Sequence, residues 1–223
     1  MKLSVLMPVY NEQAGLEAIL QRVHAVPVDK EIVLVDDCST DGTAAILESI
    51  DLPDLKVFRH SVNQGKGAAI RTAITAAQGD AIIIQDADLE YSPEEYPQLL
   101  APILSGQFAV VYGVRDLSGQ RLTTRWGNRF LTALTNLLYG TRLHDMETCY
   151  KVMLRSIATR LDLECNRFDL EPEITAKIAR LGYPIAEVPI SYAPRKDKKL
   201  SPWRDGWPAV AALLRYRRWS PSH

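Results

Sequence analysis

The sequence predicts a single α/β domain, a mostly parallel central sheet flanked by helices. Three observations carry that expectation. Short apolar runs alternate with stretches of helical spacing. Ala81-Ile-Ile-Ile84 is apolar throughout, as a strand covered on both faces requires. Acidic and other polar residues gather where the apolar runs end, the place where open α/β sheets bind ligands. A chain of 223 residues, 47% hydrophobic and 24% charged, can bury one substantial core. This composition excludes a disordered chain, a collagen-like repeat and a disulfide-stapled miniprotein.

Taken in order, Lys2 to Pro8 reads as a buried strand meeting a loop at Pro-Val-Tyr-Asn. Asn11 is placed to cap a helix whose apolar positions are Leu16, Ile19, Leu20 and Val23. Glu31 to Val35 is a β-branched strand stopped by Asp36-Asp37-Cys-Ser-Thr-Asp-Gly, and the helix after it buries Ile46, Leu47 and Ile50. Leu55 to Phe58 is a third strand. Gly65-Lys66-Gly67 opens a helix with Ala69, Ile70, Ala73, Ile74 and Ala77 on one side, ended by Gly79. After the strand Ala81–Ile84, Ser92-Pro93-Glu94-Glu95 has the cap, proline and acid of a helix start. Ala109 to Tyr112 follows as a strand. Helices are expected near 124–139 and 172–181, and Ile185 to Tyr192 reads as an edge strand because Pro189 interrupts it.

Several function classes lose their support. Cys38, Cys149 and Cys165 form no CxxC pair, which argues for a reducing compartment and against a thiolate zinc site. His24, His60, His144 and His223 have no metal-ligand spacing. The GxxxxGK[ST] loop and a GxGxxG after the first strand are both absent, and Ser39 lacks a nucleophile elbow. No apolar run approaches the roughly 18 residues of a membrane span. Met1 to Tyr10 turns polar at Asn11 too early for a signal peptide, so a soluble, cytoplasmic chain is expected.

What remains are the strand ends. Asp86-x-Asp88 places two carboxylates straight after an apolar strand, where mutual repulsion and lost solvation call for a cation. A hard divalent ion such as Mg²⁺ or Mn²⁺, completed by substrate phosphate oxygens, supplies one. Loop or capping aspartates are the bland alternative, and D-x-D alone is a weak signal. Asp36-Asp37 ends another strand, where one carboxylate could accept from a nucleobase N–H. Lys66 could reach a phosphate, and a surface lysine explains it equally well.

Together these segments resemble a family 2 glycosyltransferase with the GT-A fold. The matching stretches are Ser4-Val-Leu-Met-Pro-Val-Tyr-Asn-Glu12, Glu31-Ile-Val-Leu-Val-Asp-Asp-Cys-Ser-Thr-Asp-Gly-Thr43, Asn63-Gln-Gly-Lys-Gly-Ala68 and Gln85-Asp-Ala-Asp-Leu-Glu90. Closer similarity, to the dolichol-phosphate mannose synthase and polyprenyl-phosphate glycosyltransferase branch, lies in Tyr91-Ser-Pro-Glu-Glu-Tyr-Pro97, Gly127-Asn-Arg129, Asp145-Met-Glu-Thr-Cys-Tyr-Lys151 and Phe168-Asp-Leu-Glu-Pro-Glu-Ile174. The resemblance implies that Pro8, Tyr10, Glu12 and Asp36 line a nucleoside pocket, with Asp37, Ser39 and Lys66 beside it. It implies that Asp86 and Asp88 hold the metal, Mg²⁺ or Mn²⁺, with Glu90 as a further ligand. Arg115 and Arg129 would meet donor and acceptor phosphates, and Arg195, in Tyr192-Ala-Pro-Arg195, would come from a mobile segment closing over the diphosphate.

The activity so implied is inverting transfer of a sugar from a nucleotide-diphosphate donor, of GDP-mannose or UDP-glucose type, to a polyprenyl phosphate. A sugar-hydroxyl acceptor is the alternative and needs a carboxylate base, for which Asp145 is the candidate. A silent nucleotide-sugar-binding protein is a third reading, disfavoured because no expected metal carboxylate is missing. Residues 1–200 would form the catalytic domain. Residues 201–223 form a basic, Trp-rich segment; from 195 to 218, eight basic side chains face only Asp197 and Asp205. Trp203, Trp207, Val210, Leu214 and Trp219 suit an anionic membrane surface, which would put the chain at the cytoplasmic face of a membrane, alone or with a membrane protein. Nucleic acid is not an expected partner.

Overall fold

The computed structural model describes residues 1–167, 169–194 and 202–221, with the side chains of 202–205 outside the description. Seven strands form one sheet in the order β3-β2-β1-β4-β6-β5-β7. They are β1 (Leu3–Val9), β2 (Lys30–Asp36), β3 (Leu55–Arg59), β4 (Ala81–Ile84), β5 (Val110–Arg115), β6 (Lys151–Leu154) and β7 (Ile185–Ile190). All pairings are parallel except those of β6, which runs antiparallel between β4 and β5. Helices α1 (Leu16–Ala25), α2 (Thr43–Ser49), α3 (Lys66–Ala76), α4 (Tyr96–Leu104), α5 (Leu122–Tyr139), α6 (Arg155–Arg160), α7 (Leu170–Arg180) and α8 (Pro202–Arg215) flank the sheet. The expected α/β architecture is present, with Pro189 on the edge strand.

Strand order decides where the site lies. The chain leaves β1 toward β2 and β3, then returns to β4 on the other side of β1. That reversal opens a crevice beyond the carboxyl ends of β1 and β4. The inner strands supply the core: Val5, Leu6, Met7, Ile32, Val33, Leu34 and Ile83 are fully buried.

Some local expectations are corrected. Asn11 does not cap α1, which begins at Leu16. It adopts a left-handed φ of 56°, and its side chain bonds Thr40 in the neighbouring loop. Ser92 supplies no side-chain cap; Pro93–Glu95 forms a 3-10 turn and α4 starts at Tyr96. Strand β6 has no forerunner in the sequence reading, because four residues between two loops are too few to show a period.

At the opposite end of the sheet from the crevice, buried Glu31 ties β1, β2, β3 and the turn before β4 together. It accepts hydrogen bonds from Ser4 Oγ (2.6 Å), the Gln78 amide (2.6 Å), the Gly79 amide (3.0 Å) and Lys56 Nζ (2.7 Å). Burial works against its charge, but Lys56, Ser4 and Gln78 outweigh it and hold the carboxyl at about 2, below the ordinary 4.5. A depressed carboxylate stabilises the fold above its unfolded pKa and loses that contribution as pH falls through the folded value. Glu31→Ala is expected to cost about 3 kcal/mol near neutral pH. Urea unfolding of the wild type across a pH series should show that contribution declining between about 4.5 and about 2; a flat difference from the variant would contradict it.

Candidate active site

The loops leaving β1, β2 and β4 meet at the crevice. Each contains a non-glycine residue in the left-handed region: Asn11 (φ 56°), Cys38 (φ 63°) and Leu89 (φ 59°). Such conformations cost energy and persist where surroundings over-determine them. Here the first two loops are stitched together. The Asn11 amide donates to Ser39 Oγ, the Glu12 amide to Thr43 Oγ1, and the Gly42 amide to Gln13 Oε1. Pro8 is half-buried in β1, and Tyr10 stands exposed at the mouth.

The two aspartates after β2 turn different ways. Asp36 is buried and accepts the Ser39 amide on Oδ1, while Oδ2 lies 3.2 Å from Arg59 Nε without hydrogen-bond geometry. A cavity of about 220 Å³ lies against it, lined also by Ala44, Leu47 and Val57. Asp37 accepts the amides of Gln64 and Gly65 and pairs with His60, whose other ring nitrogen meets Thr72. Asp37 thus fixes the chain entering α3. Gly65 and Gly67 then let that chain pass the loop before α7: a Cβ at either would sit 2.2 Å from Asn166 O or 2.1 Å from Cys165 O.

This close approach delivers Lys66 to the carboxylates. Its Nζ lies 2.9 Å from Asp86 Oδ1 and 2.8 Å from Glu171 Oε1. Burial opposes the charge, yet Asp86 and Glu171 together hold the ammonium well above its ordinary pKa. Gln85 steadies the backbone here: Tyr96 and Tyr150 both donate to its Oε1, and its Nε2 donates to the Asp86 carbonyl. Asp88 accepts the Glu90 amide. Glu90 is buried and accepts the Tyr192 hydroxyl at 2.7 Å.

On the far side, Arg115 binds Asp145 through Nε (2.7 Å) and Nη2 (2.8 Å) and lies over the Tyr192 ring. Asn128 Nδ2 also donates to Asp145. Burial would raise the Asp145 carboxyl, but Arg115 and Asn128 lower it, so it stays ionised and is a poor proton acceptor. Arg129 is exposed on α5. Arg195 lies outside the described residues.

The crevice therefore brings Lys66, Asp86 and Glu171 together on one side and Glu90, Tyr192, Arg115 and Asp145 on the other, with Glu12 in the β1 loop and Asp88 in the loop after β4, and leaves Arg129 on a helix surface. Among the described residues no three His, Cys, Asp or Glu side chains form a ready metal cage. Asp86 and Asp88 offer the oxygen donors that a hard cation takes, although both Asp86 oxygens stand near Lys66 Nζ, at 2.9 and 3.1 Å, which already supplies positive charge there. Sequence reading missed Glu171 and Gln85. Glu171 resembles an ordinary first-turn helix acid, and Gln85 carries no charge to draw notice; each becomes informative only beside Lys66 or Asp86.

The family model described as "Glycosyl transferase family 2" matches residues 4–161. The chain is 33% identical over 212 residues to an undecaprenyl-phosphate 4-deoxy-4-formamido-L-arabinose transferase of Pseudomonas fluorescens, covering 90% of this chain and 61% of that one. It is 31% identical to the low-salt glycan biosynthesis hexosyltransferase Agl6 of Haloferax volcanii, covering 95% and 53%. It is 28% identical to a polyprenol monophosphomannose synthase of Mycolicibacterium smegmatis, covering 86% and 77%. The chain thus spans between half and two thirds of the length of the first two. In fold it is similar to glucosyl-3-phosphoglycerate synthase of Mycobacterium tuberculosis in complex with UDP, with TM-score 0.78 and 24% identity over 99% of this chain and 82% of that one. The same synthase in complex with Mn²⁺ and UDP-glucose gives TM-score 0.76 at 24% identity, over 97% and 78%.

Replacing Asp37 tests the architecture of this site. Asp37→Ala removes the acceptor for two backbone amides and His60, and should lower stability by about 2–3 kcal/mol in urea unfolding. Faster hydrogen exchange at the Gln64 and Gly65 amides should accompany it; unchanged exchange would show that the loop does not depend on this carboxylate.

Proposed function

This chain belongs to glycosyl transferase family 2, and we propose that it moves a sugar from a nucleotide-diphosphate donor to a polyprenyl phosphate at a membrane surface, with inversion. Helix α5 carries this reading. Its inward face bears Asn128, Thr132 and Thr135 together with Leu131, whereas Leu122, Trp126, Phe130 and Leu137 point outward. Trp126 is 68% exposed, Phe130 61% and Leu137 81%. Contiguous exposed apolar stripes of this kind mark contact surfaces. Arg129 on the same helix and Arg121 just before it are exposed and Arg125 is half-buried, a combination suited to anionic lipid headgroups. On α8, Trp207 and Leu214 are also exposed, and α8 packs beside α5. Trp219, by contrast, is half-buried with Lys177 Nζ 5.1 Å from its ring, so it anchors the C-terminal segment to α7. Trp203 lies outside the described side chains. No helix among the described residues is long and apolar enough to cross a membrane.

In this reading an acceptor phosphate oxygen attacks the anomeric carbon, the bond from that carbon to the donor phosphate oxygen breaks, and the nucleoside diphosphate leaves. The attacking oxygen is already anionic, so no side chain need accept a proton. That suits a site whose Asp145 is committed to Arg115. Lys66 and Arg115 would offset the negative charge of donor and acceptor. Asp86 and Asp88 would hold Mg²⁺ or Mn²⁺, which as a Lewis acid neutralises a leaving diphosphate. Glu90, engaged with Tyr192, would brace the segment after β7.

Incubation with a panel of radiolabelled nucleotide sugars, polyprenyl phosphate and Mn²⁺ should yield an organic-extractable product. Asp88→Ala should reduce that product by roughly a hundredfold or more while leaving circular dichroism unchanged; wild-type activity in excess EDTA would remove the metal from the scheme. The double variant Trp126→Ser with Phe130→Ser should lower binding to anionic vesicles by more than about tenfold. It should also spare transfer to a short, water-soluble prenyl phosphate. Equal vesicle binding would separate α5 from the membrane.

A further inference from the structure

Around Arg115 and Lys66 the carboxylates are matched by cations. Asp86 and Glu171 share Lys66, and Asp145 holds Arg115. Glu147 stands outside these pairs. No cation stands at ion-pair distance from it among the described residues, and its Oε1 is sealed from solvent with no hydrogen-bond donor. A buried polar atom without a partner calls for an explanation. The charged groups facing it are Glu171 on α7, Asp145 two residues earlier, Lys151 at the start of β6 and Arg115 at the end of β5. The Lys151 ammonium is directed elsewhere: it is fully buried, donates to the carbonyls of Met146 and Thr148, and lies 4.6 Å from the Tyr112 ring centre. Lys151 therefore closes the turn that carries Glu147 and makes no ion pair with it; burial pulls the Lys151 ammonium down to about 8, and its charge reaches Glu147 only at a distance.

Two negative neighbours and a sealed oxygen disfavour an ionised carboxylate. Burial, then Glu171, push the Glu147 carboxyl up to about 7, against the pull of Lys151 and Arg115. We propose that Glu147 carries a proton in the enzyme ready to bind substrate, and that binding of a phosphate anion beside Arg115 is coupled to that proton. Ionised Glu147 would add a negative charge facing Arg115 and weaken its attraction for the incoming phosphate; protonated Glu147 leaves that attraction intact. This deepens the reading of a phosphate acceptor and rests on it. Glu147 acts here through Arg115, as a positioning residue.

E147Q keeps the shape of the protonated side chain and cannot ionise. Both proteins should have similar kcat at about pH 6, where the wild-type carboxyl is protonated. Between about pH 7 and about pH 8 the ratio of wild-type to E147Q KM for polyprenyl phosphate should climb, by up to about tenfold, and more than the same ratio for the nucleotide sugar, whose charge Lys66 also meets. Titration of the acceptor's own phosphate cancels in that ratio. A constant ratio, or loss of kcat in E147Q at every pH, would overturn the proposal, the latter by showing that the carboxylate itself is needed. The proteins without nucleotide sugar supply a second arm. A raised carboxyl makes the wild type lose stability relative to E147Q as pH rises from about 4.5 to about 7. Parallel Tm profiles would sink the proton. Calorimetric titration with inorganic phosphate at about pH 7.5 should show proton uptake in the wild type and less in E147Q; equal uptake would sink the coupling. If the wild type transfers no sugar to any polyprenyl phosphate, the functional reading fails by itself, and the Tm and phosphate arms still decide the role of Glu147.

Discussion

The Lys66 ammonium, held between Asp86 and Glu171, is the contact through which the site is assembled. It joins the first residue of α3, the end of β4 and the first turn of α7, three segments far apart in the chain. Its formation depends on the backbone. Glycine at 65 and 67 lets α3 start beneath the 163–167 loop, and Asp37 fixes the approach to Gly65. Two carboxylates near one another cost free energy unless a cation lies between them. Lys66 supplies that cation within the protein, so the crevice holds its shape without a ligand. One ammonium against two carboxylates still leaves the network net negative.

The same electrostatic logic separates the two halves of the crevice. On the Lys66 side, Gln85 and two tyrosines fix the backbone of Asp86, and Asp88 lies two residues beyond. On the Arg115 side, Asp145 makes a two-point pair with the guanidinium, which holds Arg115 in one orientation over Tyr192. Tyr192 in turn donates to Glu90. A chain of contacts thus runs from the end of β5 through the segment after β7 to the loop after β4. Movement of that segment would be felt at both halves.

Much of this was legible in the sequence because it rests on local pattern. Parallel strands buried on both faces show as unbroken apolar runs, and polar residues at their ends show where ligands approach, so Asp36, Asp37, Asp86 and Asp88 stood out. Pairing partners did not. Nothing in the residues around Glu171 says that Lys66, over a hundred positions earlier, will meet it. Asn11 looked like a helix cap since Asn often is one, but the neighbouring β2 loop offered its side chain a better set of partners at Thr40. Strand β6 was invisible because an antiparallel insertion of four residues has no period to read.

Helix α5 shows a different limit. Helical spacing reveals two faces, and the default assignment turns the larger apolar residues inward. Here that default is reversed: Asn128 is buried because Asp145 needs its amide, and Thr132 because its hydroxyl accepts the Met146 amide. The polar face is used up inside the protein by the loop that holds Arg115, which leaves Trp126 and Phe130 outside. The geometry that orients Arg115 and the geometry that exposes an apolar, arginine-flanked stripe are therefore one arrangement. The lipid-phosphate acceptor proposed for this chain would use both at once, the arginine at the phosphate and the stripe at the membrane surface.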